Sequence, residues 1–123
     1  VFNILMDNTD DHERNHSLSL NLADGYYDLT PAYDVVPSLQ NLGQQSLIVG
    51  SLGAASSLDN ALSEINEFGI QRPRAIALVQ QVAAAVDQWA GHFRQMGICA
   101  ADMEQLAHSI DRDALRLQRR EYL

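Results

Sequence analysis

Asp24-Gly25 constrains this chain most, because it lies between two runs in which polar and apolar residues alternate. A period of two marks strands with one apolar face, and Asp-Gly between two such runs favours a hairpin closed by a two-residue type I′ turn. With Asp24 and Gly25 alone in the loop, Leu20 faces Leu29, Leu22 faces Tyr27 and Asn15 faces Asp34. One face then carries Leu18, Leu20 and Leu22 against Pro31, Leu29 and Tyr27. The other carries Asn15, Ser17, Ser19 and Asn21 against Asp34, Ala32, Thr30 and Asp28. A three-residue loop would set Leu20 against Asp28 and mix the faces, so the two-residue register is expected. Pro31 has no amide hydrogen and can end the ladder before Asp34. Opposed residues have Cα atoms about 4.5 to 5.5 Å apart, close enough for the Asn15 amide and the Asp34 carboxylate to share one divalent ion. A hairpin whose polar face simply meets water is the competing reading.

Upstream of the hairpin, Asn8-Thr9-Asp10-Asp11-His12-Glu13-Arg14-Asn15 sets an Asp five residues before an Asn. This is the D-x-x-x-x-N spacing of a phosphoryl-transfer loop, in which the Asp handles a hydroxyl proton and the Asn holds a metal. Asp34 supplies the second metal-holding Asp that such a site needs. Asp10 is therefore the candidate base, and Asn15 and Asp34 are the candidate metal ligands. His12 and His16 flank Asn15 within the acidic loop, and Asp10, Asp11, His12 and Asp34 could instead serve a metal-dependent phosphoesterase. A calcium loop does not fit, since counting from Asp7 puts Thr9 where Asp or Asn belongs and His12 where Gly belongs. Seven acidic residues lie between Val1 and Asp34 with Arg14 as the sole fixed positive charge. Such a cluster repels itself unless cations or a basic partner attend it, although solvated loop carboxylates are the plainer reading.

The whole chain has a net charge of −8, which argues against direct binding to a nucleic-acid backbone. It has no lysine, and none of its seven glycines forms G-x-G-x-x-G or a phosphate loop ending in Gly-Lys-Ser/Thr. Base and metal ligands are thus present without a phosphate cradle. Together with the non-Met start and the helix-end character of Val1-Phe2-Asn3-Ile4-Leu5-Met6, this leads us to expect a C-terminal fragment of a larger protein. No apolar run suits a membrane span and no secretory leader is visible, so a cytoplasmic protein without membrane contact is expected. Cys99 is the only cysteine, excludes an internal disulfide, and is expected to be packed. The sequon Asn15-His16-Ser17 is read as chance.

The 123 residues, 46 % of them apolar, suffice for one domain. Residues 1–36 hold the loop, hairpin and metal Asp, residues 37–56 an irregular connector, and residues 57–123 a helical part. In the connector, Leu47-Ile48-Val49 could be a strand or part of the loop. Ser57 can cap a helix burying Leu58, Leu62 and Ile65 and stopping near Gly69. Pro73 suits the first turn of a long helix whose apolar line runs Ile76, Val79, Ala83, Val86, Ala90 and Phe93 until Gly97. Asp102 with Gln105 resembles a capping pair for a helix through Leu106 and Ile110, and Leu115 and Leu117 belong to a last one. Trp89 reads as core or interface packing. His92 and His108 read as partly exposed, and Arg112, Arg116, Arg119 and Arg120 as a basic helix end.

At these residues the sequence resembles the C-terminal domain of the HipA-type serine/threonine kinases, toxins of bacterial toxin-antitoxin pairs. The matching strings are Asn8-Thr9-Asp10-Asp11-His12-Glu13-Arg14-Asn15 and Leu29-Thr30-Pro31-Ala32-Tyr33-Asp34, with weaker similarity continuing to Leu115-Arg116-Leu117 and Arg120-Glu121-Tyr122. The resemblance implies a mainly α fold with a β-hairpin, the C-terminal helical lobe of a HipA-like kinase that is distantly protein-kinase-like. It implies that Asp10 is the catalytic Asp, that His12 orients the catalytic loop or a phosphate, and that Asn15 and Asp34 hold Mg2+ on ATP. It further implies a protein substrate, in known members an aminoacyl-tRNA synthetase, and a DNA-binding antitoxin as partner. The family's phosphate-binding loop, nucleotide lysine and antitoxin-contacting regions lie mostly upstream, so these residues alone are expected to be inactive. A non-catalytic helical interaction module remains the third reading.

Overall fold

Apolar residues from both ends of the chain meet in one core in the computed structural model, which describes residues 1–123. Helix α1 (Phe2–Leu5) buries Ile4 and Leu5 and is followed by buried Met6. Helix α2 (Leu58–Ser63) starts at Ser57, whose side chain accepts the Asn60 N–H, and a 3₁₀ turn (Ile65–Phe68) continues it to Gly69. Gly69 adopts φ 64, the left-handed geometry that lets a helix stop and that side chains resist. Leu58, Leu62 and Ile65 are all buried, as their spacing predicts. Helix α3 (Arg72–Asp87) carries Pro in its first turn and buries Ala75, Val79, Ala83 and Val86. Full burial of each Leu, Ile or Val contributes roughly 1.5–3 kcal/mol, so this stripe and its partners supply most of the stabilisation.

The long helix read from the sequence is in fact two. Gln88, at φ −94 and ψ 5, interrupts it, and helix α4 (Trp89–Gln95) follows. Trp89 directly follows the break and is buried, its indole N–H donating to Asp111 Oδ1 at 3.2 Å and its ring meeting Phe93 edge-on. An indole in a core needs such an acceptor. Helix α5 (Ala100–Ile110) begins after Cys99, not at Asp102, which lies in its first turn where a negative charge meets the helix dipole. Cys99 is exposed rather than packed, because it flanks this helix start instead of lying on a buried face. In helix α6 (Asp113–Arg120) Leu115 is buried and Leu117 exposed. The basic stretch is not one exposed helix end. Arg119 is buried, with Nη1 on the Ile110 carbonyl at 2.7 Å and Nη2 on Asp111 at 2.6 Å.

Strands β1 (Leu18–Leu20) and β2 (Tyr27–Leu29) pair antiparallel, with Leu18 opposite Leu29, Ser19 opposite Asp28 and Leu20 opposite Tyr27. This register differs by two residues from the expected one. Residues 22–25 form a four-residue loop, because Asn21 and Asp24 stabilise it with their own side chains. Asn21 Oδ1 accepts the Ala23 N–H, Asp24 Oδ1 accepts the Tyr26 N–H, and Gly25 at φ 76 donates its N–H to the Asn21 carbonyl. A two-residue shift preserves parity, so Leu18, Leu20, Tyr27 and Leu29 still share one face. That face stays 46–69 % exposed and adds nothing to the core.

The connector forms no strand at Leu47-Ile48-Val49 and is instead tied by isolated bridges, Gln44 to Ala55 and Gly50 to Gly53. Fully buried Asn60 organises it by donating to the Gly53 and Ala55 carbonyls and accepting the Leu52 N–H. Gly50 lies so close to α2 that a Cβ there would overlap the Asn60 carbonyl and Ser63 Oγ. Gly50→Ala is therefore expected to lower stability by about 1–3 kcal/mol, read as a reduced urea midpoint at unchanged slope.

Candidate active site

The segment that leads into Asp10 is buried although it is polar. Asp7, Asn8 and Thr9 are all buried, and Asp7 has no exposed surface. Such residues enter an interior only with their hydrogen bonds satisfied. Asp7 Oδ1 accepts Arg112 Nη2 at 2.8 Å and Oδ2 accepts the Ser109 hydroxyl at 2.6 Å. The Asp7 carbonyl accepts the Ser38 N–H at 2.9 Å, while the Thr9 N–H donates to Ser38 Oγ at 2.8 Å. Ser46 donates both its N–H and its hydroxyl to the Thr9 carbonyl, at 3.1 and 2.9 Å. Asp10 then emerges exposed into a cleft of about 380 Å³ whose lining includes Asn8, Thr9, Asp34, Ser38 and Ser46.

Asn15 closes a 3₁₀ turn (Glu13–Asn15) and is buried. Its Nδ2 donates to Asp34 Oδ2 at 2.7 Å, and its Oδ1 accepts the His12 N–H at 3.0 Å. The two residues do not meet as a ladder pair, since the observed register would carry Ala32 opposite Asn15. They meet because the ladder has ended and Asp34, at φ 55, turns its backbone through the left-handed region. Tyr33 braces this turn, its hydroxyl donating to the Arg14 carbonyl at 2.8 Å and accepting from Ser17 at 2.7 Å.

The histidines stand apart from Asp10. His12 is half-buried and does not line the cleft, and its Nδ1 is buried without a protein partner. His16 Nε2 lies 2.9 Å from Asp11 Oδ1, while Asp11 Oδ2 accepts Asn3 Nδ2 at 2.8 Å. Asp11, Asn15 and His16 line a second cleft of about 500 Å³, so the bonded Asn15 and Asp34 stand between two cavities. The phosphoesterase ligand set of Asp10, Asp11, His12 and Asp34 is not assembled, because Asp11 is committed to His16 and Asn3. No three His, Cys, Asp or Glu side chains converge in metal-binding geometry. Asn15 turns its amide N–H to Asp34 and its oxygen to the His12 N–H, so the pair is held by a hydrogen bond between an amide and a carboxylate.

The description HipA-like C-terminal domain fits the family model that matches residues 1–90. The chain belongs to the HipA-like C-terminal domain family. No curated protein and no solved structure matches it. The mainly helical fold with a two-stranded antiparallel hairpin agrees with this membership. No helix is long and apolar enough to cross a membrane.

Asp7, Ser38, Asn41, Ser46 and Arg112 are the residues near this HipA-like site that the sequence reading passed over. Asp7 was indistinguishable from solvated loop acids, and Arg112 reaches it across 105 positions, beyond any local pattern. The Asn15–Asp34 bond yields a direct prediction. Asn15→Asp replaces an amide donor with a second carboxylate facing Asp34, and is expected to cost roughly 1–3 kcal/mol in chelator. Added magnesium should recover part of that loss, measured as a rise in melting temperature larger than the parent shows.

Proposed function

We propose that this chain forms the catalytic-loop half of a HipA-type serine/threonine protein kinase. The observation that carries the reading is the 2.7 Å contact of Asn15 with Asp34, while Asp34 and Asp10 line the same cleft. Asp10 and Asp34 thereby face one space from segments 24 positions apart, with Asn15 bonded to Asp34 from the neighbouring cleft, a convergence that a solvated hairpin face does not require.

Asp10 is exposed in the cleft and is free to orient a Ser or Thr hydroxyl and take its proton. As the hydroxyl oxygen bonds to the γ-phosphorus, the bond to the bridging oxygen breaks and ADP leaves. Asn15 and Asp34 would hold magnesium, which when bound would supply positive charge to the transferring phosphoryl oxygens. The backbone N–H of His12 donates to Asn15 Oδ1 at 3.0 Å and fixes the orientation of that amide. Ser38 and Ser46 hold the backbone on either side of Thr9, which limits how far Asp10 can stray. Cationic donors to the nucleotide phosphates come from outside the lining of the Asp10 cleft, which has neither Lys nor Arg. Family membership extends the proposal to a protein substrate, such as an aminoacyl-tRNA synthetase, and to a DNA-binding antitoxin as partner.

In the full-length protein, Asp10→Asn is expected to abolish phosphoryl transfer with its melting temperature nearly unchanged, since Asp10 is an exposed carboxylate among other acids. Undiminished transfer by this variant in a radiolabelled phosphate assay would remove the mechanism.

A further inference from the structure

One guanidinium touches both halves of the proposed site from outside it. Arg112 lies between α5 and α6, beyond residues 1–90 that match the family model. Its Nη2 reaches Asp7 Oδ1 at 2.8 Å, three residues before Asp10. Its Nη1 reaches Asn41 Oδ1 at 3.0 Å, seven residues after Asp34. Ser109, buried on α5, adds a hydroxyl to the other oxygen of Asp7 at 2.6 Å. Asp7 and Asn41 both occupy the left-handed backbone region, at φ 56 and 53, a conformation that costs a non-glycine residue free energy and persists only where side chains hold it.

We propose that Arg112 is a positioning residue for phosphoryl transfer, a clip that sets the Asp10 segment and the Asp34 segment in register with each other. The inference rests on the kinase reading above and names what holds its geometry. Between the two clipped residues, Ser38 binds the Asp7 carbonyl and the Thr9 N–H, so the segments are joined at three successive points. Arginine suits this role because its planar fork presents two N–H groups at fixed spacing. A lysine ammonium, a point charge on a flexible stem, cannot hold Asp7 and Asn41 in that fixed geometry.

Arg112→Lys and Asn41→Gly in the full-length protein test the clip. Asn41 is exposed, and glycine adopts its φ of 53 freely, so the second variant removes the amide without burdening the fold. For Arg112→Lys we expect kcat to fall roughly a hundredfold at unchanged KM for the protein substrate, because the loss is one of alignment. Asn41→Gly should show the same split at about tenfold. Hydrogen exchange at the Thr9 and Ser38 amides should quicken by about tenfold in both variants, while α3 amides keep their protection. A merely structural Arg112 would quicken exchange in α3 as well and leave kcat per folded molecule unchanged, which overturns the proposal. Should Arg112→Lys fail to fold, Asn41→Gly decides, and parental kcat and exchange in that variant overturn the clip. Asp10→Asn run alongside separates the two ideas. Transfer by that variant removes the kinase reading and the clip with it. No transfer by it, combined with parental turnover in both clip variants, removes the clip alone.

Discussion

Asp7 places a carboxylate where no water reaches it, and the rest of the site depends on how that charge is satisfied. Burying an ion costs several kcal/mol, which only close and complete pairing offsets. Arg112 and Ser109 provide that pairing, and both belong to the helical end of the chain. The consequence is geometric rather than a gain in net stability. A buried pair of this kind fixes one arrangement of the chain, and here the arrangement fixed is that of the loop leading to Asp10. Removing either partner would strand the other, so the two ends of the sequence are committed to each other.

From that anchor the site follows by short steps. Ser38 and Ser46 complete the hydrogen bonds of the backbone around Thr9, so this polar stretch can be interior while Asp10 is not. The hairpin contributes position and little stabilisation. Its apolar face is open and its two strands are short, a combination only marginally stable in isolation. What it does is carry the chain out and back so that Asp34 returns beside Asn15. Tyr33 holds that return by bonding to the far side of the same turn. The core formed by α1, α2, α3 and the following helices is the rigid part, and the polar loops are tied to it at Asp7, Asn60 and Arg112.

Much of this was legible in the residues, and the exceptions share a cause. The Asn15 and Asp34 pairing was expected from a two-residue loop, yet the contact forms with a four-residue loop. The expectation of that contact holds because the ladder ends short of both residues and Asp34, at φ 55, turns back to the Asn15 amide. It reached the right neighbours by the wrong register. Asn21 and Asp24 decided the loop length through side-chain bonds to the backbone, a competition that Asp-Gly statistics do not contain. The interrupted α3 and α4 follow the same logic. Helical spacing was read correctly from Ile76 to Phe93, whereas the break at Gln88 has no marker in the sequence.

By itself the sequence determined what depends on neighbours a few positions away: the helix periodicities, the Ser57 and Gly69 boundaries, the two faces of the hairpin, and the spacing of Asp10 and Asn15. Those features arise from local sterics and from periods of two and 3.6, which a string of residues displays directly. Only the tertiary structure decided which charges are interior. Asp7 and Asp10 are chemically identical and three positions apart, yet one is sealed against Arg112 and the other open to a cleft. Burial is a property of the assembled surface, and pairing across 71 or 105 positions costs chain entropy that only the completed core repays.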